Sequence, residues 1–492
     1  MLTPARPLAS LLLLLVLAAA CATPAALTPP ALAAARDATG AERWNMQLLG
    51  HDPLQGRSAY QPLIVPQGPR WIAYVGHHGG QAVNPLTGRM EPNGTSIVDV
   101  TDPRAPRYLH HIPGAPGGPE AGGAQMVRIC PGLGLPRGDP ARTYLLRTFG
   151  NAAHELWDVS DPGRPERLSV LVGGLDGTHK NWWECASGIA YLVSDGRPAG
   201  WRTNRMTKVF DLSDPARPRF IRDFGLAGHE PGSRGEPVPE GVHGPIAYRD
   251  RVYFAYGTWK HGVLQIVDRT RLLEGDPAAA DRFAPTPQNL RYPELGRLDL
   301  SPAWGGHTAF PVLGVPIGDF MLNTQGRLRD FVVLVSESLQ NECREFRHLT
   351  FMVDVTAPAK PFPVATFQVP EASGDFCTRG GRFGPHSSNE SFSPIYYGRL
   401  VFIAYFNAGV RAVDIRDPFR PREVAYFIPA VTEGTDKRCV RADGPERCRV
   451  AIQTNNVEVD DRGFIYLGDR ANTGLHIVEL TGAAREIANF PR

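Results

Sequence analysis

The chain alternates short apolar runs with polar, Pro-bounded breaks, and one such unit recurs. It reads SIVDVTDPRAP from Ser96, ELWDVSDPGRP from Glu155, KVFDLSDPARP from Lys208 and LQIVDRTRL from Leu264. It returns as FMVDVTAPAKP from Phe351, RAVDIRDPFRP from Arg411 and LHIVELTG from Leu475. Four or five apolar-biased residues, an acid and a Pro turn predict a strand ending in a tight turn. The acids Asp99, Asp158, Asp211, Asp268, Asp354, Asp414 and Glu479 recur about every 63 residues, so repetition decides the architecture. The fourth unit shows the grammar with little insertion: GVHGPIAYR, then RVYFAYGT, then GVLQIVD. The third supplies an outer strand, RFIRDFG. Four strands per unit predict an all-β, seven-bladed β-propeller over residues 44–492.

The repeated phrase resembles the LVIVD-repeat family of secreted bacterial and archaeal proteins, over about residues 44 to 490. The resemblance implies the propeller fold and no particular activity. Two units depart from it: Asp268 runs into RTRL, and Glu479 has no following Pro. These two blades are expected to close differently. The segment WNMQLLGHD from Trp44 is expected to pair with the last blade as a latch, and 270–280 to hold a short helix. Insertions are placed at 226–241, 271–293, 311–330 and 431–449.

Composition adds to this picture. Gly and Pro make up about a fifth of the chain and fall at turns between β-rich runs, which indicates many short strands. The net charge of +2 comes without a concentrated basic stripe, which argues against nucleic acid as partner. Arg6 followed by the apolar run Leu8 to Ala20 reads as a signal peptide over 1–20, too short to span a bilayer. Small residues before Cys21 resemble a bacterial lipobox, although Ala18 stands where Leu is usual; ordinary cleavage nearby is the alternative. Residues 21–43 are read as an Ala/Pro-rich tether. The expectation is an exported protein: a lipoprotein of the periplasm or outer membrane, or a secreted one. It touches membrane through its lipid anchor alone and is a monomer. Six further cysteines suit an oxidising compartment. Cys439 and Cys448 flank a polar loop and are expected to pair; the partners among Cys130, Cys185, Cys343 and Cys377 stay open.

Counting back from each acid reaches the first, channel-lining strand of each blade. The residues in register are Gln61, Gln125, His179, His243, His307, His386 and Asn455–Asn456. Four consecutive blades thus offer His, each with Gly one or two residues before it. Imidazoles converging on one axis suit a transition metal such as Fe, Cu, Zn or Ni. Glu184, Glu337 and Glu390 are candidates to orient the rings. A four-His ring in a propeller is similar in architecture to the iron site of carotenoid oxygenases and to the His-rich channel of selenium-binding-protein-like methanethiol oxidases; no residue roles follow from that. The competing reading is the polar lining of a wet channel. A second cluster packs Arg379, Arg382, His386, Asn389 and Glu390 into one loop, like the rim of a pocket for an anion or substrate. Trp182, Trp183, Trp201, Trp259 and Trp304 could floor a pocket or pack between blades. His77, His78, His110 and His111 are expected near turns or outer strands, facing solvent. No GxSxG elbow, P-loop, HExxH or kinase signature is present. Two functions therefore compete: a metal-dependent oxidoreductase or hydrolase, and a non-catalytic surface or periplasmic scaffold holding a small molecule or protein on the propeller face.

Overall fold

Each repeated apolar run forms a strand because both faces of its sheet are covered. A computed structural model of the chain describes residue 37 and residues 40–318, 326–441 and 444–491. The expected leader, Cys21 and the tether up to residue 36 lie outside the described residues, as does 319–325 of the insertion placed at 311–330.

The sheets follow the repeat. The first is Ala59–Gln67, Arg70–His78, Gly94–Asp99 and Arg107–Pro113, with Gly123–Ala124 added beside Arg70–His78. Next come Val127–Pro131, Thr143–Phe149, Ala153–Asp158 and Glu166–Val172, then Thr178–Trp183, Ile189–Ser194, Met206–Asp211 and Arg219–Phe224. The fourth is Val242–Tyr248, Arg251–Tyr256, Val263–Asp268 and Glu294–Asp299; the fifth is Thr308–Pro316, Leu328–Val335, Thr350–Asp354 and Phe362–Phe367. A nine-stranded sheet holds the rest. It divides into Phe383–Ser388, Leu400–Phe406, Val410–Asp414 and Arg422–Ile428, and into Thr454–Val459, Ile465–Asp469, Gly474–Leu480 and Met46–Asp52. The two parts meet at the single pair Phe406↔Thr454.

The first strands touch one another in sequence, and Thr454–Val459 packs back on Ala59–Gln67. This closed circuit of innermost strands, with antiparallel sheets radiating from it, is a β-propeller. Apolar clusters fill the wedges between sheets. Ile72, Tyr74 and Ile97 meet Val127, Ile129 and Leu145 between the first and second sheets. Ala73, Val75 and Val98 meet Tyr466, Leu475 and Ile477 where the last sheet joins the first. Each fully buried Val, Leu or Ile contributes about 1.5–3 kcal/mol, which explains why the middle strands read as continuous apolar runs.

The repeated acids are turn chemistry. Asp99, Asp158, Asp211, Asp354 and Asp414 each accept a bond from the backbone N–H two residues on, at 2.9–3.1 Å. Asp102, Asp161, Asp214 and Asp417 do the same one turn later. The second Pro of the phrase stands directly before outer strands that begin at Arg107, Glu166, Arg219 and Arg422, an edge position where a missing N–H is tolerated.

The two irregular units close differently. Asp268 caps a helix, Arg269–Glu274, by accepting from Arg271 N at 2.9 Å, and the outer strand comes only after a second helix, Pro287–Arg291. The last sheet takes its outer strand from the N-terminal segment, with Met46–Asp52 paired to Gly474–Leu480. A further strand, Glu42–Trp44, pairs with Arg422–Ile428, so ordered pairing starts just inside the stretch read as tether. The chain end reads as helix Gly482–Ile487 rather than a strand. The segment taken as an insertion at 311–330 is in good part a long hairpin, with Val315 opposite Arg329.

Three disulfides tie the loops: Cys130–Cys185, Cys343–Cys377 and Cys439–Cys448. Cys439 sits directly opposite Cys448 in a two-stranded ribbon. Among the described residues no helix is long and apolar enough to cross a membrane.

Candidate metal centre

The innermost strands are not regular where the channel side chains sit. The ladder slips between Ala59 and Pro62, Thr178 and Asn181, Val242 and Gly244, Phe383 and Ser387, and Thr454 and Asn456. A bulge re-aims the side chain it carries, and these five bracket Tyr60, His179, His243, His386 and Asn455. The fifth sheet is the exception: His307 stands just ahead of its strand, anchored by its backbone N–H to Val335 O at 2.7 Å. Gly177, Gly241, Gly305 and Gly384 each lie two residues before a channel His. At Gly384 the reason is visible. Its φ is +133°, and a Cβ there would stand 1.8 Å from Ser338 Oγ.

The four histidines come together. Neighbouring ring centroids are 4.5 Å apart for His179–His243, 3.5 Å for His243–His307 and 4.3 Å for His307–His386. The Nε2 atoms of His179 and His243 are 2.8 Å apart. Tyr60 completes the circle, its hydroxyl 3.3 Å from His179 Nε2. Glu337 reaches in from the loop after Leu328–Val335, with carboxylate oxygens 4.0 Å from His307 Nε2 and 3.7 Å from His386 Nε2. One ligand atom from each of His307, Glu337 and His386 lies within 4.8 Å of the others.

The far ring nitrogens of His386 and His307 are held, whereas His243 Nδ1 is buried without a hydrogen-bond partner among the described residues. His386 Nδ1 lies 2.6 Å from the Asn455 carbonyl, so it carries the proton and leaves Nε2 as a lone pair toward the centre. His307 Nδ1 bonds Thr308 Oγ1 at 2.9 Å, while His307 Nε2 is buried without a hydrogen-bond partner among the described residues. Burial holds all four imidazoles well below their usual pKa, and neighbouring cations and rings lower them further. They are neutral at pH 7, the form that binds metal. Burial pushes the Glu337 carboxyl up, and Arg382, ion-paired to it at 3.2 Å, holds it back.

Other candidates read from sequence fall elsewhere. Glu184 pairs with Arg269 at 2.9 Å, away from the channel. Arg379 pairs with Glu42 at 3.0 Å, and Asn389 bonds the Phe402 backbone; neither joins the centre. Glu390 lies in a separate buried cluster further along the channel, where Arg128 and Lys180 both bind it. Glu458 in that cluster accepts from Ser391 N at 3.0 Å, and burial pushes it up to about 8. His77, His78 and His111 are at most 1% exposed, contrary to the solvated positions expected for them. They sit where the first sheet is covered on both faces, and His78 packs against Tyr60 at 4.7 Å. Trp201 and Trp183 are core residues, and Trp304 packs on Phe346 and Phe351.

Several residues of the site escaped the register. Tyr60 faces the centre, whereas its neighbour Gln61 bonds Asn456 at 2.8 Å one layer away; the bulge accounts for the one-residue difference. Arg205 and Arg470 arrive on loops whose positions carry no periodic signal, whereas Glu337, also on a loop, is one of the candidates named from the sequence. No family model matches the chain, and no curated protein matches it. Among solved structures it is similar to the beta-propeller domain of Cps50 (Swd1) from Myceliophteria thermophila, at 12% identity and a TM-score of 0.46, over 85% of this chain and 96% of that one.

Proposed function

We propose that the chain is an exported, seven-bladed β-propeller of the LVIVD-repeat type whose channel binds one transition-metal ion through His179, His243, His307 and His386. The observation that carries this reading is the group formed by His307, Glu337 and His386, whose ligand atoms lie within 4.8 Å of one another, with the rings of His243 and His179 packed in line beside them. His179 Nε2 and His243 Nε2 share a hydrogen bond at 2.8 Å, which an ion bound by both rings would replace. The partnerless His307 Nε2 and the carboxylate of Glu337 are grouped with His386. Leaving such a buried nitrogen unbonded costs about 1–3 kcal/mol, a cost that coordination removes. A nitrogen-rich set with one carboxylate suits Fe, Cu, Zn or Ni.

Bound there, the ion supplies Lewis acidity or redox chemistry for an oxidoreductase or hydrolase. The residues of the chain orient it. Asn455 fixes the His386 tautomer, Arg382 steers Glu337, and the surrounding sheets keep bulk water out. A non-catalytic scaffold is the second reading, and it draws on the near closure of the centre: His179 is 8% exposed and the other three 1%. The three disulfides suit export, and a lipid on Cys21 is part of the proposal.

Elemental analysis of the mature protein tests the centre. The expected result is close to one equivalent of metal, reduced strongly in His243→Ala and His386→Ala. Under about a tenth of an equivalent after reconstitution would overturn it. Azide or cyanide perturbing the spectrum of the bound metal supports open coordination positions, and an inert spectrum favours the scaffold. Mass spectrometry of the mature N-terminus decides the anchor: an unmodified terminus beyond residue 21 rules lipidation out.

A further inference from the structure

The mouth of the channel carries one guanidinium group without a carboxylate partner among the described residues. Arg382, on the loop into the sixth sheet, pairs with Glu337 at 3.2 Å. Arg470, on the hairpin between two strands of the last sheet, pairs with Glu120 at 2.6 Å. Arg205 precedes the strand Met206–Asp211, and among the described residues its guanidinium makes no hydrogen bond or ion pair. Yet Arg205 is placed with care. Its carbonyl accepts from Val242 N, the residue before His243, at 3.1 Å. A Cβ on Gly241 would come within 3.0 Å of Arg205 Cβ, so the glycine makes room for it against the inner strand. Its charge is the strongest acting on His179, and it also acts on Tyr60 and Glu337. Arg382, Arg470 and Arg438 thus each have a carboxylate partner and Arg205 has none, while the Glu120 partner of Arg470 is 63% exposed and so screened by solvent.

We infer that the channel mouth binds a small organic acid or phosphate, its oxyanion held between Arg205 and Arg382 above the histidine centre. The planar guanidinium fork matches carboxylate and phosphate oxygens. A largely buried arginine without a partner retains a desolvation cost that an incoming oxyanion offsets. The exposed Glu120 can release Arg470 to join. A cavity of about 180 Å³ adjoins the mouth, lined in part by Ser58, Pro119, Arg438 and Arg470. The inference deepens the proposed function and rests on the histidine centre as the reacting site.

Calorimetric titration of the mature protein with inorganic phosphate and with acetate, metal-loaded and metal-stripped, tests it. Arg205→Gln is expected to weaken the bound probe at least tenfold, Arg382→Gln similarly, and Arg205→Lys by an intermediate factor. Thermal unfolding and metal content of Arg205→Gln should match wild type, since Arg205 packs at the rim. Unchanged probe affinity in Arg205→Gln, or no saturable binding of either probe to wild type up to on the order of 10 mM, would overturn the inference. If wild type holds no metal but the stripped protein still binds phosphate through Arg205, the metal reading fails and the anion site stands.

Discussion

Gly384 is where the fold and the centre are mechanically joined. It lies in the inner strand two residues before His386, and a Cβ added to it would stand 1.8 Å from Ser338 Oγ and 2.9 Å from Ser338 Cβ. Ser338 follows Glu337, and Ser338 N donates to Pro385 O at 3.1 Å, so no slack separates the two segments. Gly384→Ala therefore meets two costs: about 1–3 kcal/mol for a non-glycine residue at φ +133°, and about 1–3 kcal/mol for overpacking. A total near 4 kcal/mol is expected. With unfolding entropy of ~2.1 cal/mol/K per residue over 492 residues, that lowers Tm by about 4 °C. Gly398→Ala is the control: φ is +72° with nothing within 4 Å, so it carries the backbone cost alone, about 1 kcal/mol. Adding Ser338→Gly to Gly384→Ala removes the clash and should recover about half the loss. Because Gly384→Ala pushes Glu337 and His386 apart, metal occupancy should fall with Tm, whereas Gly398→Ala leaves it intact. Calorimetry and elemental analysis read both. A Gly384→Ala protein that loses no more than Gly398→Ala and keeps wild-type metal would refute the reasoning.

The disulfides should differ in worth with the loop each closes: separations of 55 and 34 residues for Cys130–Cys185 and Cys343–Cys377 predict about 4 kcal/mol each, against about 2.6 kcal/mol for the separation of 9 in Cys439–Cys448. Urea unfolding of the three Cys→Ala pairs ranks them. Acid should destabilise the fold. Burial lowers His111 to about 2, His154 to about 4 and His476 to about 3. The unfolded chain takes up these protons near pH 6.5, so the stability present above 6.5 is lost on acidification, about 2 kcal/mol per imidazole by pH 5. Glu458, raised to about 8, and Asp469, raised to about 6, act in the opposite sense, as do Glu337, Asp52 and Asp223, but these carboxyls are fewer than the buried imidazoles whose pKa is lowered. Tm at pH 5 should lie below that at pH 7.5, and an equal or higher value would count against the neutral-imidazole reading. Met46→Asp puts a carboxylate at a 2% exposed position in the closing strand and should lower Tm by several degrees; an unchanged melting curve would mean that strand does not hold the circuit.

What the sequence showed well is what repeats. The acid-and-proline phrase is read by local backbone chemistry, so its strands, its turns and the histidine register were legible without tertiary information. The latch Met46–Asp52 was legible because the last unit visibly lacks a fourth strand. The partners of Cys130 and Cys343 were not, since pairing depends on which loops stack at a common face. Tyr60 was missed by one residue because a bulge breaks the period of two on which register counting relies. Arg205 comes from a loop, where spacing carries no geometric information. Glu184, Arg379 and Asn389 were plausible by proximity in sequence to channel residues, but each lies outside the inner strands Thr178–Trp183 and Phe383–Ser388, where the register no longer sets direction.

The channel is built in two layers of different electrostatic character, and their order fixes the direction of access. In one layer four neutral imidazoles and Tyr60 pack side by side without charge of their own. In the next, Arg128 and Lys180 grip Glu390, and Glu458 takes bonds from the backbone at Glu390 and Ser391. Arg128, Lys180, Glu390 and Glu458 are each at most 5% exposed. Removing one partner from such a cluster leaves a buried charge and costs about 3–5 kcal/mol, so the layer acts as a fixed plug rather than a passage. Gly244 is cut to fit it, as a Cβ there would strike Lys180 Cδ at 2.1 Å. On the proposed reading this cluster bars entry from its side, so an anion would reach the histidines past Arg205, Arg382 and Arg470.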